Sequence, residues 1–573
     1  MIASFWSISV LLCLVNLGVS LIAEDPLRMG LKQMGFQGAI FVPGEIGYHK
    51  FRLGHTGTCK FAFPKLVARP RTSADVAFGV MLARSENISL SVRSGGHGYL
   101  CQHLKNNSLH LDLRRLNHMH LLTPDPEKNL PLRLNLGPGS TWGRVLKQFP
   151  ISRYSMVHGQ CTTVGVGGYL LGGGVNFVGT SSKLGSGSQN VMEYTMISAT
   201  GDLLKVSENA IQTLHLNESV KDTLLEPKND LFFALKGAGS SFGIVTNFLY
   251  QIYDEPETQP VLVPIFFRGP SDLEKLKRLN ANGLFDVSIF RLYHLIDMDP
   301  VQGSWYNTFL ASAPLLSKLI NFSSQEAVGA LVVDIYSGRQ RTDLIEAVNL
   351  LHSFGMELAF TNLGGIGILT LRIMKFDQFD PFLRTYDSQY LSQEDQLRKG
   401  PQASASASFI NARSPRIVED FIFNNSHFGN YQDSVNLRHD LGCDWCYWTL
   451  VIWNGPKRPL FFANDPPPDQ KGIYTLDFTC QYDPHSSAQA KRCENVVQLA
   501  KARMSKIAEE EGEHLNQYYN TPSCDINGRP FYERYWHHHY ETLLAQKQIW
   551  DPTNLLTHCH AVGSTDEDCC PTV

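Results

Sequence analysis

No run of lysine or arginine marks this sequence, and only 18% of its 573 residues are charged, with a formal net charge of -4. A basic face for nucleic acid therefore has no support. No low-complexity tract and no solenoid-like repeat is present, which excludes a disordered scaffold and a repeat array. No Walker lysine motif occurs, so nucleoside triphosphate hydrolysis is unsupported. Beyond the N-terminus no stretch is long and apolar enough to span a bilayer. What is abundant is apolar matter, 43% of residues with 11% aromatic. That composition and length fit a globular protein of at least two domains.

The N-terminus predicts a secretory signal over residues 1–23. Phe5 to Ala23 is almost uncharged and ends in small residues suited to cleavage near Ser20 or Ala23. It lacks the usual basic n-region, and an uncleaved membrane anchor is the alternative. Sequons at Asn87, Asn106, Asn217, Asn321 and Asn424 agree with a secreted glycoprotein. One of the twelve cysteines, Cys13, lies in the signal, which leaves an odd number. In a secreted chain most should pair, so one must have another task. Cys443 and Cys446 have redox or zinc spacing without a second pair, and a structural disulfide role is expected for them. No metal is expected, and His537-His-His539 is read as packing or surface.

From Pro64 to Pro256 short strands alternate with helices. Leu66 to Arg69 leads into a helix from Ser73 with Thr72 or Ser73 as its cap, and a strand over Ile88–Arg93 follows. This unit feeds the loop Ser94-Gly-Gly-His-Gly. Further glycine clusters lie at Gly165 to Gly174 and Gly237 to Gly243. Beyond Tyr253 longer apolar strands such as Ala330 to Ser337 mix with helices, one expected at Asp343–Phe354. A strand is expected over Gly472–Tyr482, a helix over Ala488–Gly512, and a surface loop at Asn464-Asp-Pro-Pro-Pro. The fold class predicted is α+β.

Each glycine cluster alone is compatible with a tight turn. Gly237-Ala-Gly-Ser-Ser-Phe-Gly fails the dinucleotide fingerprint, because Phe242 stands where Gly or Ala is needed. Taken together, the clusters are far more specific. Val92-Arg-Ser-Gly-Gly-His-Gly, Gly159-Gln-Cys-Thr-Thr-Val-Gly and Asp230-Leu-Phe-Phe-Ala-Leu-Lys-Gly-Ala-Gly-Ser-Ser-Phe-Gly follow in order, and Tyr518-Tyr-Asn and Trp550-Asp-Pro-Thr-Asn-Leu-Leu close the chain. This pattern resembles the berberine bridge enzyme-like branch of the vanillyl-alcohol oxidase flavoproteins, with a PCMH-type FAD-binding domain.

The resemblance implies FAD held by two covalent bonds, from His97 to the flavin 8α carbon and from Cys161 to flavin C6. Imidazole and thiolate are the nucleophiles suited to an electrophilic ring. It also implies that Arg93, Ser94, Gly95, Gly96 and Gly98 line the pyrophosphate. Gly165, Gly168, Ile244 and Val245 would surround the rest of the dinucleotide. Tyr518 and Asn520 would reach the flavin, and Val164 matches a position associated with oxygen access. By the same resemblance residues 27–255 form the FAD domain (core 64–253), residues 256–514 an α+β substrate domain with an antiparallel sheet, and residues 515–573 return to the FAD domain.

One departure bears on mechanism. The family's terminal motif carries a second tyrosine that often serves as base, and here Thr521 occupies it. A hydroxyl without an activating partner is too weak a base. The candidates on the Gly472–Tyr482 strand are Asp477, Tyr474 and Tyr482, and a one-residue ambiguity in register exchanges their faces. The expected function is a secreted oxidase of a small alcohol, carbohydrate or specialised metabolite. Hydride would pass to FAD and its electrons to oxygen, giving hydrogen peroxide. The alternatives are a dehydrogenase with another acceptor and a flavin-loaded protein with little catalysis.

Overall fold

The computed structural model describes residues 24–254 and 474–564, apart from short internal stretches that include 151–152, 160–161 and 524–530. Between them it describes residues 260–267, 286–293, 327–334, 403–417 and 445–452. The signal segment, Cys161, the helix expected at 343–354 and the proline-rich loop lie outside the described residues.

Three sheets organise the described residues. The first contains β1 (Ala39–Phe41), β2 (Leu66–Arg69), β3 (Leu90–Arg93) and β4 (Leu109–Asp112) in the order β1-β2-β4-β3. β4 runs parallel to both β2 and β3, as the strand–helix–strand pattern requires. The crossover helix α1 (Ser73–Ser85) is capped by Thr72, whose Oγ1 accepts from the Asp75 N–H at 3.1 Å. Val76, Ala77, Val80 and Ala83 on this helix are fully buried against the sheet. The loop carrying Ser94 to Gly98 leaves the C-terminal end of β3, the end at which α/β layers present ligand loops.

The second sheet is antiparallel, with seven strands from β5 (Met119–Leu122) and β6 (Arg133–Leu136) through β7 (Val191–Ser198), β8 (Leu203–Ser207), β9 (Ala210–Leu214) and β10 (Val220–Leu225) to β11 (Gly243–Gln251). β11 inserts between β6 and β7, which brings the third glycine cluster, immediately before it, to the centre of the sheet edge. The third sheet, also antiparallel, takes the order β12-β14-β13-β16-β17-β15-β18. Its strands are β12 (Pro260–Phe267), β13 (Asp286–Tyr293), β14 (Ala327–Asp334), β15 (Ala403–Ala412), β16 (Trp445–Ile452), β17 (Tyr474–Tyr482) and β18 (Asn516–Gln517). Helix α2 (Ser487–Glu510) packs on β15 and β17 and is stapled to β17 by the Cys480–Cys493 disulfide. The α+β architecture read from the sequence is the one observed.

The C-terminal segment returns to the first half of the chain. Tyr519, Tyr535, Trp536, Leu543 and Val562 join Trp142, Tyr194, Phe248 and Tyr250 in one buried cluster. Fully burying a large apolar side chain stabilises by about 1.5–3 kcal/mol. A buried cation fixes the register of this return. Lys547, on helix α3 (Tyr540–Trp550), pairs with Asp551 at 2.7 Å and donates to the Ser241 carbonyl at 2.9 Å and the Leu556 carbonyl at 3.1 Å. Burial pulls the lysine below its ordinary pKa, while Asp551 works in the opposite direction. Asp551 in turn accepts from the Leu555 and Leu556 N–H groups.

Removing the ammonium strands a carboxylate that is 2% exposed. Lys547→Ala should therefore lower folding stability by about 3–5 kcal/mol. The measurement is the urea midpoint of the full chain; a shift too small to resolve would contradict this reading of the pair.

Candidate functional site

The first two glycine loops meet backbone to backbone. A Cβ on Gly95 would lie 2.3 Å from the Gly165 nitrogen, and one on Gly165 would lie 2.1 Å from the Gly95 nitrogen. No side chain larger than hydrogen fits this approach. Ser94 ties the loops further, its Oγ donating to the Pro138 carbonyl at 2.6 Å and accepting from the Gly167 N–H at 3.2 Å. Gly96 has φ +80°, a conformation that L side chains rarely adopt.

A cavity of about 290 Å³ opens beside this junction. Its lining includes Ser94, Gly95, Gly96, His97, Gly98, Val164, Gly165, Gly168, Ile244, Val245, Tyr518 and Asn520. Residues expected from four separated motifs thus surround one space. Cys161 is outside the described residues; Gly159 and Val164, on either side of it, both line the cavity. Thr521 lines it too. Asn520 ties the terminal motif to the second glycine cluster: its Nδ2 donates to the Tyr169 carbonyl at 3.1 Å and to the Tyr518 hydroxyl at 3.0 Å.

Arg93 is placed differently. It is 3% exposed and absent from the lining, with its guanidinium donating to the Phe51, Leu53 and Gly95 carbonyls. The side chain braces the turn from within and is not among the residues that line the cavity. Position in a motif and direction of the side chain are different properties. At the end of its strand, Arg93 points inward.

His97 presents a neutral ring. Burial, then the charges of His55, Arg93 and His103, hold its pKa well below the ordinary histidine value. Its Nε2 is 2.8 Å from Thr163 Oγ1, and its ring stacks on His55 at 3.9 Å.

The faces of β17 separate the three expected acid–base candidates. Cys480 is bonded to Cys493 of α2, so the even-numbered side chains, Tyr474 and Tyr482 among them, share the helix side. The environment of Tyr482 agrees: burial, then the nearby Glu494 of α2, push its pKa up to about 12. Asp477 is on the opposite face, level with Ser408 of β15 and Thr449 of β16. β18 continues the row. Gln517 pairs with Phe409, and the Tyr518 N–H donates to the Ser408 carbonyl at 2.9 Å, which brings Tyr518 out opposite Ser408. Asp477 therefore shares a sheet face with the cavity-lining Tyr518, about two strand spacings or roughly 10 Å away. Tyr474 and Tyr482 lie on the other face, toward α2. Asp477 is half-buried and outside the cavity lining itself.

The lining also contains residues the sequence did not single out: Tyr99, Gln102, His103, Tyr169, Ser240 and His558. Of these, Tyr169 and Ser240 stand inside the glycine clusters at Gly165 to Gly174 and Gly237 to Gly243. Buried polar atoms test whether a polar cofactor fits. Gln102 Oε1, His103 Nδ1, Tyr169 OH and Thr521 Oγ1 have no hydrogen-bond partner among the described residues. Buried polar atoms of this kind normally find partners, and four of them around one glycine-lined cavity suit a ligand with many acceptors and donors. Gly168 adds room, since a Cβ there would meet nothing within 4 Å. FAD, with a pyrophosphate to accept hydrogen bonds and a ring edge that both donates and accepts, fits this mixed set of groups.

Residues 64–207 match the family described as FAD binding domain. Among curated proteins, the chain is 30% identical to (R)-6-hydroxynicotine oxidase of Paenarthrobacter nicotinovorans over 223 residues, 39% of this chain and 43% of that protein. It is 31% identical to berberine bridge enzyme-like 12 of Arabidopsis thaliana over 210 residues, 35% of this chain and 34% of that protein. The chain thus spans less than half the length of these relatives. In fold it is similar to a glucooligosaccharide oxidase of Acremonium strictum, with TM-score 0.66 and 16% identity over 94% of this chain and 98% of the other.

The site is thus that of an FAD-binding protein. Residues 64–207 are an FAD binding domain, and the chain is similar in sequence to a berberine bridge enzyme-like protein and in fold to BBE-like 1 of Physcomitrella patens, with TM-score 0.60 and 18% identity over 96% of this chain and 100% of the other.

The two kinds of glycine predict opposite outcomes. Gly95→Ala forces the loops apart and should lower both the thermal midpoint and the bound flavin. Gly168→Ala adds a methyl facing the cavity, so the thermal midpoint of flavin-free protein should stay unchanged while flavin content falls. Flavin absorbance per polypeptide, measured beside thermal unfolding, checks both; a Gly95→Ala protein with full flavin and an unchanged midpoint would contradict the contact.

Proposed function

We propose that this chain is a secreted oxidase of a small alcohol, carbohydrate or specialised metabolite, with FAD bonded to both His97 and Cys161. The observation that carries the reading is the convergence of three glycine motifs and the terminal Tyr518–Thr521 segment on one cavity. In this reading Ser94 to Gly98, Gly165 and Gly168 hold the pyrophosphate side. Val164, Tyr518 and Asn520 meet the flavin, and Ile244 and Val245 pack beside the dinucleotide. Residues 27–255 with 515–573 form the FAD domain, and residues 256–514 form the domain that covers the substrate.

FAD, when bound, supplies a two-electron acceptor. What the chain's own residues contribute is binding, orientation and proton transfer. The row from Asp477 to Tyr518 offers one acceptor for a substrate hydroxyl proton on the face that looks toward the cofactor. A carboxylate covered by substrate has its pKa raised toward the working range by lost solvation. Thr521 leaves space and a hydroxyl where a tyrosine could otherwise act. The neutral imidazole of His97 suits bond formation, because a lone pair is available without prior deprotonation.

Secretion is supported by the apolar N-terminal segment, by the disulfides Cys59–Cys101 and Cys480–Cys493, and by the exposed positions of Asn87 and Asn106. Among the described residues no helix is long and apolar enough to cross a membrane.

The test is anaerobic flavin reduction followed by admission of air. A substrate found by bleaching in a panel of sugars, alcohols and phenols should yield about one hydrogen peroxide per flavin reoxidised. Asp477→Asn is nearly isosteric and should slow reduction by about 10²–10⁴-fold, with flavin content unchanged. Reduction at the wild-type rate would remove Asp477 from the mechanism. Reoxidation only by an added quinone would replace oxidase with dehydrogenase.

A further inference from the structure

The loops around His97 carry two features that binding a dinucleotide does not require. The first is the parallel stack of His55 on His97, with rings 3.9 Å apart and 16° between planes. His55 is anchored there twice. Its N–H donates to the Gly96 carbonyl at 2.8 Å, and the Cys59–Cys101 disulfide closes its segment onto the chain that follows His97. A parallel neighbour at van der Waals distance restricts rotation about the His97 χ2 torsion, which is otherwise soft. The second is the 2.8 Å contact between His97 Nε2 and Thr163 Oγ1. Thr163 belongs to the second glycine loop, two residues beyond Cys161. Which nitrogen of an imidazole keeps its lone pair is set by the hydrogen bond the other nitrogen makes.

We propose that Thr163 and His55 are positioning residues for formation of the His97–FAD bond. Thr163 accepts from Nε2–H and so leaves the lone pair on Nδ1, and His55 fixes the plane of the ring. The inference rests on the reading that His97 becomes bonded to the cofactor. In the step they serve, Nδ1 forms a C–N bond to the 8α carbon and one C–H bond there breaks. The imidazole then sheds its Nε2 proton at the nitrogen facing Thr163. Those two protons and the two electrons released reduce dioxygen to hydrogen peroxide, so the ring returns to its oxidised state and the balance closes.

The test scores the His97 bond alone, in a Cys161→Ser background. Protein produced under riboflavin limitation is given FAD, and the fraction retaining flavin after unfolding is followed in time by intact mass. Thr163→Val keeps the shape and removes the acceptor. His55→Ala removes the stack. Each should bind FAD fully yet acquire the bond about tenfold more slowly, the scale on which the partner of a functional histidine acts. Thr163→Ser and His55→Phe, which restore the hydroxyl and the ring, should recover the rate to within about twofold of the parent on the same reasoning. Bond formation at the parent rate in Thr163→Val or His55→Ala would overturn the role of that residue. Equal slowing in Thr163→Ser and Thr163→Val would also overturn the tautomer argument, since the hydroxyl would then be irrelevant. A parent protein that binds FAD but never forms the bond would overturn the attachment reading itself, whatever the variants do.

Discussion

The contact between Gly95 and Gly165 governs the site. Two loops from different sheets approach until either Cβ would fall within 2.3 Å of the other's backbone nitrogen. Everything that follows depends on that distance. It places His97 beside Thr163, and it points the Ser94 hydroxyl at both Pro138 and Gly167. It also leaves Gly168 facing open space. Glycine is disfavoured in most regular structure because its entropy cost on ordering is high. Here that cost accompanies an approach of two backbones that a Cβ on either glycine would block.

The site is closed by the end of the chain. Lys547 and Asp551 lock the last helix to the third glycine cluster through the Ser241 carbonyl, and the Val562 N–H donates to Ser241 Oγ. The segment from Asn516 to Asn520 has two obligations. It adds β18 to the edge of the third sheet beside β15 and sends Tyr518 and Asn520 into the cavity lining. A single strand thus couples the sheet bearing Asp477 to the loops bearing His97.

Much of this was legible in the sequence because it is local. The strand, capped helix and strand over residues 66–93 follow from periodicity and Thr72, and the glycine clusters advertise close backbone approach. What was not legible depends on direction. Asp477 and Tyr474 are three residues apart, yet only the Cys480–Cys493 staple and the β18 register decide which face looks toward Tyr518. Arg93 sits within its motif and is not among the residues that line the cavity. His55, forty-two residues before His97, has no motif at all; the Cys59–Cys101 disulfide and a backbone hydrogen bond bring the two rings together. Long-range contacts of this kind leave no periodic trace.

The central claim is that the two glycine loops present His97 and Cys161 to one FAD. The most direct measurement is the intact mass of the acid-unfolded chain. Wild-type protein should carry the mass of FAD. His97→Ala and Cys161→Ala should each retain it through the remaining bond, and the double variant should release it as free cofactor. Wild-type polypeptide that loses its flavin on unfolding would contradict the account.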